Sequence, residues 1–304
     1  MQVIGIGQCS WDYLATVDCF PTIDTKSEVM DWQEQGGGPV ATALVTLARL
    51  GIACNFHGVT GTDPEGKKIG KSLARENINT AGLIVRENAV SQKAFIAIEQ
   101  KTAKRTIFWQ RPSGTPLLPG ELTESFLDEG SFLLLDGLMM EVSLFAARMA
   151  RKRGIPVMLD AGKVRPGMLE IAGMCDYLVA SEQFAVDLGW DGKPENFRET
   201  AGRTGASVVT ITLGEQGSIT YQGNNIMVTP AFQVAARDTT GAGDVFHGAY
   251  IFGLLRQLDL ADTLRFASAV AAMKCTRIGG RAGIPDKANI LKFLAEKGCS
   301  IRFD

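Results

Sequence analysis

A stretch in the last third of the chain, ARDTTGAGDVFHGAY at 236–250, places two glycines and a carboxylate directly before an apolar run. Gly241 and Gly243 allow a tight turn that presents successive backbone N–H groups, and the apolar run predicts a helix. Bare N–H groups at a helix N-terminus bind anions and suit a transferring phosphoryl group. Asp244 would repel a phosphate but could accept the proton of a neutral hydroxyl. The stretch predicts phosphoryl transfer, and the alternative is an ordinary glycine turn in which Asp244 caps the helix.

Two other glycine-rich segments imitate nucleotide-binding loops. GIGQCS at 5–10 begins like a dinucleotide fingerprint, but Ser10 takes the third glycine position and the following WDY indicates a loop at a strand end. GTDPEGKK at 61–68 nearly has P-loop spacing, yet Lys68 replaces the magnesium-binding Ser or Thr. We predict that 61–68 begins a helix with acidic residues near the positive end of its dipole. Nicotinamide oxidoreductase chemistry is a distant alternative.

The composition excludes several classes of protein. The chain has 304 residues, 45% of them hydrophobic, and a formal net charge of −2 without a basic stripe, which argues against a nucleic-acid partner. Six scattered cysteines, no CxxC pair and only two histidines argue against structural zinc and for free thiols. Because no segment resembles a signal peptide or a membrane span, we expect a soluble cytoplasmic protein with a small-molecule partner.

The elements that must position these residues alternate between strand and helix. Strands are predicted at 3–7, 53–61, 131–136, 155–160, 176–180 and 207–212. Helices are predicted at 38–51, 63–78, 142–153, 183–189, 194–204, 243–256, 260–275 and 286–297. This order predicts one α/β domain over 1–304, with a mostly parallel sheet covered on both faces.

Two segments, 13–35 and 92–110, break the alternation with the apolar–polar pattern of half-exposed strands. We predict that they pair as a small β-sheet lid over the main domain. The lid strands would also form a homodimer contact, because their apolar side chains are more than a small flap can hide. These side chains are Val29, Trp32, Phe95, Ile107 and Trp109.

Three motifs in order resemble the PfkB (ribokinase-like) family of carbohydrate kinases: GGGPVATALVTLARLG at 36–51, TLGEQGS at 212–218 and DTTGAGDVFHGA at 238–249. The resemblance covers nearly the whole chain. It is nearest to bacterial sulfofructose kinases and fructokinases, on the basis of DTTGAGDVFHGA and of a further stretch, KCTRIGGRAGIPD. It implies a ribokinase-like three-layer α/β/α sandwich, ATP and Mg²⁺ as cofactors, and a small sugar as acceptor.

The resemblance also implies roles for individual residues. Asp244 would be the catalytic base, and the backbone of Gly241, Ala242 and Gly243 would form the anion hole for the γ-phosphate. Asp12, placed at the end of the first strand, would bind sugar hydroxyls together with the loop of Gly36, Gly37 and Gly38. A turn-initiating role for Asp12 is the alternative. Thr212, Gly214 and Gly217 would line the nucleotide, and the small residues Ala271, Ala272, Gly279 and Gly280 would admit the adenine.

A monovalent cation, K⁺ in particular, often binds near the anion hole in the family. The matching ligands would be the side chain of Asp238 and backbone oxygens of Thr240, Lys274, Arg277, Gly279 and Gly283.

The chain departs from the family pattern at several positions. Ser181 and Phe184 replace the Asn and Glu of an Asn-x-x-Glu motif that organises magnesium, although Glu182 lies nearby. Ala41 replaces the sugar-binding asparagine of ribokinase-like chains, which argues against ribose as the substrate. Leu138 stands where the resemblance to sulfofructose kinases implies an arginine site that binds anions, so the substrate of those enzymes is not inferred either. Candidates for binding an anionic sugar are Lys26, Arg105, Arg111 and Arg237, each with a solvated surface charge as the alternative. A non-catalytic sugar or nucleotide sensor on the same fold is the rival function.

Overall fold

The computed structural model describes residues 1–123 and 125–301. The strands are β1 Gln2–Ile6, β2 Ser10–Val17, β3 Asp31–Gly37, β4 Ala53–Gly61, β5 Asn79–Arg86, β6 Lys93–Glu99, β7 Arg105–Gln110, β8 Phe132–Leu135, β9 Val157–Ala161, β10 Tyr177–Ser181, β11 Val208–Thr212, β12 Ser218–Gln222 and β13 Asn225–Thr229. The α-helices are α1 Pro39–Arg49, α2 Pro64–Arg75, α3 Met140–Lys152, α4 Met168–Ala172, α5 Glu182–Asp187, α6 Phe197–Gly202, α7 Ala242–Leu255, α8 Leu260–Cys275 and α9 Lys287–Glu296.

Within the described residues the main sheet has nine strands in the order β13-β12-β11-β10-β9-β8-β1-β4-β5. The strands from β11 to β5 pair in parallel, whereas β12 and β13 form an antiparallel hairpin at one edge. The predicted mostly parallel sheet is confirmed. The hairpin, β5 and the short helix α4 were not predicted.

The main sheet lies between two helical layers, because successive side chains of its strands pack into two different hydrophobic cores. On one face Val3 packs in a cluster with residues of α1, α7 and α8, and on the other Ile4 packs with residues of α3 to α6. Gly248 of α7 allows close helix packing, since a Cβ there would stand 2.4 Å from the carbonyl oxygen of Ala43 in α1. This packing fixes where α7 begins. The three-layer α/β/α sandwich is confirmed.

A separate four-stranded sheet has the order β3-β2-β6-β7 and corresponds to the predicted lid segments 13–35 and 92–110. We call it the lid sheet. Its first strand begins at Ser10, so Trp11, Asp12 and Tyr13 lie inside β2 and are paired with both β3 and β6. The prediction that they form a loop at a strand end was wrong. The lid strand continues almost directly from β1, leaving only 7–9 between the two sheets.

The segment at 61–68 begins a helix, as predicted. Asp63 is the N-cap of α2, and its Oδ1 accepts the backbone N–H of Gly66 at 3.1 Å. The same carboxylate accepts the N–H and the hydroxyl of Ser91, which lies just before the lid strand β6. Asp63 therefore caps a helix and supports the lid, as the ordinary interpretation of this glycine-rich segment requires.

Candidate active site

The glycine-rich turn before α7 has the geometry of an anion site. Gly241 is the N-cap residue with φ 71°, and a Cβ there would approach the Cα of Gly280 to 3.0 Å. The first-turn N–H groups of a helix have no intrahelical acceptors, although that of Ala242 donates to the carbonyl of Thr239 at 3.2 Å. The N–H groups of Gly243 and Asp244 occupy the next two positions of the turn. The turn therefore presents a positive helix end beside a carboxylate.

Asp244, half-buried in the first turn of α7, has neighbours that perturb its titration. Burial raises the pKa of its carboxyl to about 7, and the carboxylates of Asp160 and Asp12 act in the same direction. His247 and Arg105 oppose the shift. A carboxyl group with its pKa near neutrality is suited to proton transfer at ordinary pH.

Buried His247 and half-buried Asp160 form a pair beside the start of α7 that sequence reasoning missed. The histidine Nδ1 lies 2.6 Å from the carbonyl of Gly243, and its Nε2 lies 2.9 Å from that of Val179 and 3.5 Å from Asp160 Oδ1. His247 thus ties the start of α7 to β10. Asp160 is the penultimate residue of strand β9, a strand-end position that could have been recognised in the sequence.

Asp136, at the end of β8, holds a second strand end in place. Its two carboxylate oxygens accept the backbone N–H groups of Gln8 at 2.6 Å and Leu138 at 3.0 Å. Burial raises the pKa of this carboxyl to about 7, and these two hydrogen bonds oppose the shift. Because both carboxylate oxygens accept backbone N–H groups, Asp136 holds the loop that leads from β1 into the lid sheet.

Asp12 projects from β2 into a buried position next to the glycine loop. Its Oδ1 accepts the hydroxyl of Ser10 at 2.7 Å, and a Cβ on Gly37 would stand 2.0 Å from its Oδ2. Burial raises the pKa of Asp12, and Arg281 opposes the shift. Gly38, the N-cap of α1 with φ 93°, approaches the backbone of Gln8 in the same way. The structure therefore brings Asp12 and the predicted glycine loop together, and places Asp12 in range of Asp244 electrostatically.

Arg281, a buried arginine not singled out in the sequence, supports this glycine loop from behind. Its guanidinium donates to the carbonyl of Gly37 at 2.8 Å and to the hydroxyls of Thr42 and Ser72, each at 3.3 Å. A Cβ on Gly36 would stand 2.4 Å from its Nη1. Burial lowers the pKa of Arg281 to about 10, and Asp12 is the largest opposing charge.

The four predicted basic residues occupy different places. Arg105, in the lid strand β7, donates from Nη1 to the hydroxyl of Thr239 at 2.6 Å, so it lies beside the turn before α7. Arg111 stacks over Trp109 and lines a cavity of about 190 Å³ that Leu138 also lines. Lys26 lies in the exposed loop between β2 and β3, and Arg237 is exposed next to Asp238. Arg105 is therefore better placed for phosphate than for sugar.

A larger cavity of about 430 Å³ contains most of the predicted nucleotide residues. Thr212, Gly214, Gly217 and Ala271 line it together with Ala242 and Gly243 of the helix start. The wall on the lid side is the turn at 102–104, which sequence reasoning missed. Gly217 has φ 100° and a Cβ there would meet the carbonyl of Thr229 at 2.0 Å, so only glycine can form this wall.

Ser181 and Glu182 are placed apart from that cavity. The Ser181 hydroxyl is the N-cap of α5: it accepts the N–H of Phe184 at 3.4 Å and donates to the carbonyl of Gly162 at 2.7 Å. Glu182 is exposed and Phe184 is buried in the core. The segment that replaces the Asn-x-x-Glu motif is thus engaged in helix capping and packing.

The residues expected around a monovalent cation are close together, but a lysine side chain lies among them. Asp238 is fully buried: its Oδ1 accepts the N–H and the hydroxyl of Thr240, and its Oδ2 accepts the N–H of Gly279 at 2.7 Å. Lys274 is also fully buried, with its Nζ 2.9 Å from the carbonyl oxygen of Asp238. Burial lowers the pKa of Lys274, and Asp238 is the largest opposing charge.

These residues do not fit a bound K⁺. Both oxygens of the Asp238 carboxylate already accept hydrogen bonds, and the Lys274 ammonium on the carbonyl oxygen of the same residue would repel a second cation there. The backbone oxygen of Lys274 itself accepts the N–H of Arg277 in the C-terminal turn of α8 and is packed against Gly283. Across 1–123 and 125–301, no cluster of three His, Cys, Asp or Glu side chains could hold a metal ion, and no helix is long and apolar enough to cross a membrane.

The fold and the turn before α7 together define a kinase of the ribokinase-like class. The chain belongs to the pfkB family of carbohydrate kinases, whose model matches residues 2–287. It is similar to a ribokinase of Haemophilus influenzae, with 27% identity over 95% of this chain and 97% of the relative. It is also similar to fructokinase-1 of Oryza sativa subsp. japonica, with 24% identity over 96% and 97%.

Solved structures share the fold. A ribokinase of Arabidopsis thaliana complexed with ribose and ATP has a TM-score of 0.81 and 22% identity over 96% of this chain and 99% of that one. A ribokinase II structure from E. coli with ATP and Mg²⁺ has a TM-score of 0.81 and 22% identity over 97% and 99%.

Proposed function

We propose that the protein transfers the γ-phosphate of ATP to a hydroxyl group of a small sugar or sugar-like substrate. The observation that carries the proposal is that Ala242 and Gly243, at the start of α7, line the 430 Å³ cavity. A nucleotide in this cavity can direct its phosphates to the helix end, where Asp244 is adjacent. The helix N-terminus then stabilises charge on the transferred group.

In the proposed reaction Asp244 orients the acceptor hydroxyl and takes its proton as the new O–P bond forms. The bond between the γ-phosphorus and the bridging oxygen of ATP breaks, and ADP leaves. Phosphoryl transfer depends mainly on in-line positioning and on charge stabilisation. Arg105, which reaches Thr239 from the lid sheet, adds a positive charge next to the transferred group. Closure of the lid sheet would exclude water that otherwise hydrolyses ATP.

Magnesium fits this site as an ion carried by the phosphates, since Mg²⁺ usually keeps several waters and uses one or two protein carboxylates. Asp160, whose carboxylate raises the pKa of Asp244, is the protein group that would hold the ion. When bound, Mg²⁺ would neutralise charge on the β- and γ-phosphates. Ser181 cannot replace the missing asparagine in this role because its hydroxyl is engaged on both sides.

The acceptor would bind under the lid sheet at Asp12 and the loop of Gly36, Gly37 and Gly38. A carboxylate can accept two hydroxyl groups, which suits a polyol. The 190 Å³ cavity at the carboxyl ends of β1, β4 and β8 offers further room, and Arg111 on its wall could bind an acidic substituent. Lys26 would reach the same region only if its loop closed.

A panel of sugars tests the proposed function. Pentoses, hexoses, ketoses, their phosphate esters and sulfonated analogues are incubated with Mg²⁺-ATP, and ADP release is coupled to NADH oxidation. Saturable ADP release with at least one sugar supports the kinase. Binding of sugar or nucleotide without turnover across the panel would favour the sensor.

We also propose that the lid sheet pairs two copies of the chain. One face of the lid carries an exposed aromatic series in which Trp32 lies 5.7 Å from Phe95, and Phe95 lies 6.1 Å from Phe108, between ring centroids. Val29 is exposed as well, whereas Ile107 and Trp109 alternate with Phe108 along β7 and are exposed on the opposite face of the lid sheet. An apolar surface of this extent is typical of an interface, and a second copy of the same face covers it most simply.

A further inference from the structure

Lys274 is a charged side chain in a place where lysine is rarely found. It is the penultimate residue of α8 and has no exposed surface. Its neighbours along this helix are alanine, methionine and cysteine. Complete burial of an ammonium is strongly unfavourable unless a counter-charge lies nearby. Asp238, equally buried, is that counter-charge, and the lysine reaches across to its carbonyl oxygen at 2.9 Å.

Asp238 in turn holds the backbone that leads into the anion site. Its carboxylate accepts two hydrogen bonds from Thr240 and one from Gly279, and Gly241 follows directly as the N-cap of α7. A buried negative charge three residues before the anion site would repel phosphate if it stood alone. The Lys274 ammonium offsets this charge and fixes the carbonyl of Asp238, so it acts on the turn from behind.

We propose that the Lys274 ammonium takes the place of a monovalent cation behind the anion site, so that phosphoryl transfer by this protein does not require K⁺. Lys274 is a positioning residue: it touches neither ATP nor sugar, and it acts through Asp238 and the turn at 238–241. The proposal rests on the proposed kinase activity only for its kinetic measurement, because the cation preference of the fold can be measured without substrate.

The kinetic test compares Lys274→Ala with the parent in KCl and in choline chloride at equal ionic strength. The parent is expected to have the same kcat/KM in both salts. The variant should lose about tenfold or more in choline chloride and recover most of the loss in KCl, because the deleted side chain leaves room for a cation at Asp238. Lys292→Ala, on the exposed face of α9, is the matched control and should behave like the parent.

Thermal unfolding in the same two salts provides the measurement without substrate. The unfolding midpoint of Lys274→Ala should rise in KCl relative to choline chloride, since a cation that binds only the folded state stabilises it. The midpoint of the parent should not differ between the salts. This comparison remains decisive if no sugar in the panel is phosphorylated.

Three results would overturn the proposal: activation of the parent by K⁺, a Lys274→Ala variant equally active in choline chloride, or K⁺-dependent stabilisation of the parent. If Lys274→Ala does not fold, Lys274→Met keeps most of the side-chain volume without its charge. It should be impaired in both salts without rescue, and full activity of this variant would contradict the role of the ammonium.

Discussion

Replacement of Asp244 by asparagine should separate activity from stability. The amide keeps the shape of the carboxylate but cannot take a proton. Because general-base catalysis contributes roughly 10²- to 10⁴-fold, kcat should fall by that factor while the nucleotide affinity changes little. In the parent, kcat/KM should decline below about pH 7, where the buried carboxyl becomes protonated.

The same change should stabilise the fold at alkaline pH. Below pH 3.8 Asp244 is protonated in both states, between pH 3.8 and about 7 only the folded state keeps the proton, and above about 7 the folded state bears the full cost of a buried charge. A shift of about three pKa units corresponds to about 4 kcal/mol. Because the side chain is only half-buried, solvent screening reduces this to about 2 kcal/mol.

Urea unfolding at pH 8 and pH 5 measures this contribution. Asp244→Asn should be more stable than the parent by about 2 kcal/mol at pH 8, and the difference should be smaller at pH 5. Asp24→Asn, in the exposed lid loop, is the control and should change neither activity nor stability. Retained turnover in Asp244→Asn would refute its role as base. Equal destabilisation at both pH values would show that the carboxylate is structural.

Three further changes test other parts of the structure. Arg105→Ala should lower kcat and move the acidic limb of the pH–rate profile upward, because Arg105 lowers the pKa of Asp244; an unmoved limb would contradict the contact. Gly217→Ala should lower the free energy of unfolding by about 3 kcal/mol in urea titrations. Gly223→Ala is the comparison and should cost about 1 kcal/mol, because position 223 has φ 53° but open space around its Cβ. Trp32→Glu should convert the proposed dimer into a monomer by light scattering, and a parent that is already monomeric at micromolar concentration would exclude the lid interface.

The features that the sequence predicted best depend on neighbours along the chain. The start of α7 is set by Gly241, whose left-handed φ of 71° is a local preference of glycine. Alternating strands and helices were recognised from hydrophobic periodicity, with boundaries correct to a few residues. The missed β12–β13 hairpin had a local signal as well: Gly223 and Asn224 both have positive φ, as a two-residue hairpin turn requires.

Other features could not be predicted, because they depend on residues far apart in the sequence. Lys274 lies at a helix position that could equally face solvent, and its burial is explained only by Asp238, 36 residues earlier. Arg281 lies in a loop where arginine is usually exposed, and its acceptor at Gly37 is 244 residues away. Asp160 raises the pKa of Asp244 and lies 3.5 Å from His247 only because β9 ends beside the start of α7.

The contact between Arg281 and the glycine loop has a consequence for the order in which the protein is made. Gly37 leaves the ribosome 244 residues before Arg281, whose guanidinium donates to its carbonyl oxygen. Arg49 in α1 also donates to the carbonyl of Arg281, at 2.7 Å. The glycine loop therefore gains its support only after Arg281 has been synthesised, and translation products that end before Arg281 lack that support.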